Sequence, residues 1–98
     1  MTAKQIAELH DLCLQINLFA EKHKRAPIAK YHLIGDENPF TAMICIEICQ
    51  TEPFDIIKTF TLSTDTISTE DVKGRYYRLV RKYLKDLVEK NVEVKENE

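Results

Sequence analysis

The chain has 98 residues, a formal net charge of −2 at pH 7, three cysteines and only two glycines. A chain of this length makes one domain and buries about two thirds of its unfolded surface, so a core forms without metal or disulfide help. The charge balance excludes a simple polycation, no apolar run approaches the ~20 residues of a membrane helix, and an odd cysteine count argues against a secreted disulfide framework.

Residues 2–25 predict a helix. Thr2 and Gln5 fit a capping box. Ile6, Leu9, Leu12, Cys13, Ile16, Phe19 and Ala20 recur at three- and four-residue steps. The basic run Lys22-His23-Lys24-Arg25 suits the negative end of the helix dipole, and Pro27 stops any continuation. Residues 28–34 predict a first strand, and Gly35-Asp36-Glu37-Asn38-Pro39 predicts a turn.

Residues 40–50, FTAMICIEICQ, are the most apolar run in the chain and predict the central strand. Strand residues alternate faces. Phe40, Ala42, Ile44, Ile46 and Ile48 therefore form a wholly apolar core face. Thr41, Met43, Cys45, Glu47 and Cys49 point the other way. Thr51-Glu52-Pro53 predicts a second turn. Residues 55–63 predict a third strand. Its core face is ambiguous, because Ile56, Phe60 and Leu62 oppose Ile57.

Ser68 predicts the cap of a last helix, with Ile67 and Val72 as a hydrophobic staple. Val72, Tyr76, Leu79, Val80, Tyr83, Leu84, Leu87 and Val88 predict its buried stripe. Lys73, Arg75, Arg78, Arg81, Lys82 and Lys85 predict its wet side. Asn91 predicts the stop. The expected fold is α+β: a two-layer α-β-β-β-α domain over residues 1–91, with a three-stranded antiparallel sheet and two helices on one face. Residues 92–98 are expected to form a frayed acidic tail.

This element order is the topology of the double-stranded RNA-binding domain. Residues 18–41, LFAEKHKRAPIAKYHLIGDENPFT, resemble that family in Ala20-Glu21-Lys22, Pro27, Tyr31-His32-Leu33, Gly35 and Phe40-Thr41. The resemblance implies duplex RNA binding. The family's last helix opens on a Ser-Lys-Lys-x-Ala-Lys-like run that meets phosphates. Here that place reads Ser68-Thr69-Glu70-Asp71-Val72-Lys73, and only Lys73 matches the lysines. The turn at residues 35–39 is also shorter than the family's loop and acidic. Carboxylates at a helix start stabilise the helix but repel phosphate.

Cys45 and Cys49 are four residues apart, which on a strand is ~13 Å, too far for a disulfide or a shared metal. His10 and Cys13 share one side of the first helix. A structural zinc site normally takes four ligands in recognisable pairs, so neither metal nor cofactor is expected. There is no phosphate-binding glycine loop, nucleophile elbow or paired-carboxylate motif, and the cysteines read as buried, so no catalytic residue is expected.

The expected function is therefore a small non-catalytic binding module acting through protein contact, as a regulator, adaptor or inhibitor. The candidate interface is Met43, Cys45, Glu47 and Cys49, on the sheet face that no helix covers. Its partner is another protein or a second copy in a homodimer. The alternative is nucleic-acid binding through the basic helix faces, by Lys22, Lys24, Arg25, Lys73, Arg75, Arg78 and Lys82. No membrane contact and no small-molecule substrate are expected. The first residues lack the regions of a signal peptide, so a cytoplasmic location is expected.

Overall fold

The computed structural model describes residues 3–23, 25–34, 43–51, 54–63 and 70–96, and for residues 3, 33, 34, 43, 63, 70–74, 95 and 96 it describes the backbone alone. The chain order is helix α1 (Ala3–Lys22), strands β1 (Ile28–Ile34), β2 (Met43–Thr51) and β3 (Phe54–Ser63), and helix α2 (Glu70–Glu96). The sheet is antiparallel in the order β1-β2-β3, so the apolar strand is central as expected. The Thr2 cap, the turn at residues 35–39, Phe40 to Ala42 and the Ser68 cap lie outside the described residues.

Both helices pack on one face of the sheet. Leu9 and Ile16 of α1 and Val80 and Leu84 of α2 form one buried cluster with Ile44, Ile46 and Ile48 of β2 and Phe60 of β3. Each such side chain contributes about 1.5–3 kcal/mol on full burial. The core face predicted for the central strand is thus the observed one from Ile44 to Ile48.

The helices also hold the sheet's two outer strands. Asn17 of α1 donates from Nδ2 to the Ala29 carbonyl and accepts the Ala29 N–H at Oδ1, both at 2.8 Å. In an antiparallel ladder a residue's N–H and C=O point the same way, so those of Ala29 face the outer edge of β1. Asn17 therefore closes that edge at Ala29, where an open strand would invite another chain. On the far side Thr61 N–H of β3 donates to Tyr76 Oη at 3.3 Å.

Three expectations change. First, α1 ends at Lys22, and a tight turn follows in which Ala26 N–H donates to the His23 carbonyl at 3.0 Å. Second, the buried stripe of α2 departs from the predicted one at one edge only: Val80 and Leu84 are buried and Tyr83, Leu87 and Val88 pack against the core as predicted. Tyr77, Val80, Leu84 and Asn91 are buried, whereas Tyr76 and Leu79 are 37% and 57% exposed. Steps of three, four and seven from Tyr77 keep one side of the helix inward. Third, α2 runs through Asn91 to Glu96, so residues 92–96 are helical rather than frayed. Asn91 lies on the buried stripe, only 7% exposed, and so packs inward instead of capping.

A helix of 27 residues is about 40 Å long, which explains the 47 Å long axis of the molecule. Among the described residues no helix is long and apolar enough to cross a membrane.

Candidate functional site

The face of the sheet away from the helices is built by register. β1 offers Ile28, Lys30 and His32, which pair with Cys49, Glu47 and Cys45 of β2. β3 offers Thr61 and Thr59 opposite Cys45 and Glu47. The ladder then shifts: Ile48 pairs with Lys58 but Cys49 pairs with Ile56, leaving Ile57 as an extra residue. Such a bulge turns the following residues over. Ile56 and Phe54 thereby join the face of Cys49 and Thr51, the side away from the core. This resolves the ambiguity of the third strand: Phe60 and Leu62 are inward and buried, and Ile56 is 48% exposed.

The centre of this face is less apolar than expected. Glu47 Oε1 lies 3.7 Å from His32 Nε2, an ion pair when the imidazole is protonated. Cys45 is half-buried. Cys49 is fully buried, at 0% exposure, so it is not available to a partner and leaves the candidate interface. Lys30 explains the cover. It pairs with Glu47, yet its Nζ lies 4.8 Å from the centroid of the Phe54 ring, at the level of Thr51. The diagonal between them crosses the level of Cys49. Met43 has its backbone in β2, and its side chain lies outside the description.

Exposed apolar surface gathers instead at the start of β3. Phe54, Ile56 and Ile57 are 58%, 48% and 51% exposed. Sequence reasoning passed over them because period-two alternation fails at a bulge. The adjacent pair Ile56-Ile57, apolar on both phases, was the available signal.

The basic residues do not form one patch. Lys22 and Arg25 are exposed at the end of α1, and Arg75, Arg78 and Lys82 are exposed along α2. Lys24 and the side chain of Lys73 lie outside the description. The helices run side by side in the same direction: Glu8 meets Tyr77 and Arg81, and farther along Phe19 and Leu87 line one cleft. Arg25 therefore lies beside Lys90, about 18 Å along α2 from Arg78 at 1.5 Å per residue.

Arg81, expected on the wet side, instead joins the helices. Tyr77 Oη donates to Glu8 Oε2 and Arg81 Nε to Glu8 Oε1, each at 2.5 Å. The Tyr77 bond, with that from Arg81, holds the Glu8 carboxyl below its ordinary value. Burial, with the Glu8 bond, pushes the Tyr77 hydroxyl up to about 12. No motif announced this triad, because its members are 69 and 73 residues apart.

The three cysteines are free thiols. Burial pushes Cys13 up to about 11, away from thiolate chemistry. His10 turns from Cys13 to pack edge-on against Tyr31, with ring centroids 5.0 Å apart. Among the described residues no three His, Cys, Asp or Glu side chains gather as metal ligands. Compared with protein-family models, curated proteins and solved structures, the chain matches none.

Proposed function

We propose that the protein is a non-catalytic binding module that acts through protein contact on the open face of its sheet, as a small regulator, adaptor or inhibitor. The observation that carries this reading is the exposed group Phe54, Ile56 and Ile57, at the border of a face that the helices leave uncovered. A clustered apolar patch on a small domain marks an interaction surface. The same face bears Lys30 and His32 beside Glu47, so it carries both signs of charge. A second copy turned about a two-fold axis meets such a face with complementary charge, which makes a homodimer its simplest form. The apolar side chains are already half covered, so the pair is weak and depends on concentration.

Light scattering over a concentration series tests this. The wild-type mass rises with concentration. The double variant Phe54→Lys, Ile56→Lys stays monomeric with an unchanged circular dichroism spectrum. A wild type that is monomeric throughout rules out the homodimer, and association that survives in the variant moves the contact off this face. Pull-down with the same two baits tests a different protein partner, which the wild type retains and the variant loses.

A second reading, duplex RNA binding, is favoured by Arg75, Arg78 and Lys82. They are exposed at three- and four-residue spacing on one side of α2. The α-β-β-β-α order is compatible with the double-stranded RNA-binding domain. Thr69, Glu70 and Asp71 weigh against it, so weak and salt-sensitive binding is expected. Each phosphate contact absent lowers the salt slope by about one unit. Tight binding at physiological salt, lost on Arg75→Glu, Arg78→Glu and Lys82→Glu together, supports this reading over the first.

A further inference from the structure

The turn after α1 and the C-terminal part of α2 border a half-open cleft of about 510 Å³, within the range of small-molecule sites. Its walls are apolar: Phe19, Ala26, Pro27, Leu87 and Val94. The Phe19 and His23 rings stack at 4.0 Å and 12°, a flat surface on the α1 side. Arg25 and Lys90 stand at the cleft, both exposed, and among the described residues no acidic one lines it.

One polar atom is out of balance. Asn91 lines this cleft, is 7% exposed, and its Nδ2 is buried without an acceptor. A buried donor left unpaired costs about 1–3 kcal/mol, so a native fold that keeps one invites a reason. A turn of the Asn91 amide toward the cleft would let an acceptor brought by a ligand satisfy it. A neighbouring cleft shares Phe19, His23 and Asn91 but is lined by Glu21 as well as Lys22, so it does not favour an anion.

We propose that the cleft between the end of α1 and the C-terminal part of α2 binds a small hydrophobic carboxylate, its chain against Phe19, Pro27, Leu87 and Val94 and its head near Asn91, Arg25 and Lys90. The carboxylate supplies the acceptor that Asn91 Nδ2 lacks and the charge that the two cations complement. The sequence foresees no small-molecule substrate. This ligand is bound and not turned over, and the site is independent of the open sheet face.

The test is an NMR titration of the full chain with decanoate, kept below its micelle concentration, with decanol as the uncharged control. The Asn91 side-chain amide and the Phe19 and Val94 signals shift saturably with decanoate, and decanol binds more weakly. Arg25→Glu with Lys90→Glu, both at exposed positions, weakens decanoate about tenfold. Asn91→Leu removes the unpaired donor at similar volume, so it leaves the unliganded fold as stable or more stable and weakens decanoate binding. An Asn91 amide unmoved by millimolar decanoate overturns the proposal. So does decanol binding as tightly as decanoate, or decanoate affinity unchanged in either variant.

Discussion

Glu8 is one residue through which pH acts on this fold. Its folded value lies below the ordinary 4.5 because the Tyr77 hydroxyl and Arg81 guanidinium donate to it. A depressed acid contributes stability that is present above its unfolded value and is lost as pH falls through the folded one. Tyr77 has the opposite sign. It is raised from 10.0 to about 12, so its contribution is present below 10 and is lost as pH rises toward 12. The wild type is thus expected to melt above Glu8→Gln at neutral pH, with the gap closing as pH falls below about 4.5. A gap that stays constant into acid contradicts this. The thiols make a second check at this scale. Cys13 and Cys49 are 2% and 0% exposed, whereas Cys45 is half-buried. In the native protein Ellman's reagent should label Cys45 first, Cys45→Ala should remove the early phase, and all three thiols should react after unfolding. Early labelling that survives Cys45→Ala contradicts the burial order.

At the scale of the element, β1 was fully legible in the sequence and α2 was not. Pro27 and Gly35 punctuate β1 on both sides, and the strand spans Ile28–Ile34 as predicted. The layers were legible too, because Ile44, Ile46 and Ile48 leave one choice of inward face. Helix α2 offers two neighbouring choices, since Tyr76-Tyr77 and Leu79-Val80 put bulky residues on adjacent phases. Tertiary contacts decide between them: Tyr77 reaches Glu8, and Phe60 meets Tyr83 edge-on at 5.1 Å. Two substitutions check the phase. Leu84→Ala, at 0% exposure, should cost about 2–5 kcal/mol in denaturant unfolding. Leu79→Lys, at 57% exposure, should stay within about 0.5 kcal/mol. A Leu79→Lys cost as large as that of Leu84→Ala would return α2 to the predicted phase, in which both are buried. The candidate site was half legible. Alternation assigned Cys45 and Glu47 to the open face correctly, but it placed Cys49 at the surface. The Lys30 side chain and the Ile57 bulge are cross-strand features that a single strand's pattern does not contain.

At the scale of the molecule, all of the helical packing is on one side. The Phe60, Val80 and Leu84 side of the sheet is closed by two helices, and Asn17 and Tyr76 occupy its outer strands at Ala29 and Thr61. What remains open is the face bearing His32, Cys45 and Glu47, bordered by Phe54, Ile56 and Ile57. The exposed basic residues of the nucleic-acid reading lie elsewhere, on the helices and in the turn after α1. The two functional readings therefore engage opposite sides of one small protein, and a residue-resolved dilution series separates them. In amide NMR spectra recorded from dilute to concentrated protein, shifts are expected only at Lys30, His32, Cys45, Phe54, Ile56 and Ile57, with Arg75, Arg78 and Lys82 unmoved. Spectra that do not change with concentration, or shifts centred on the three α2 cations, would contradict it.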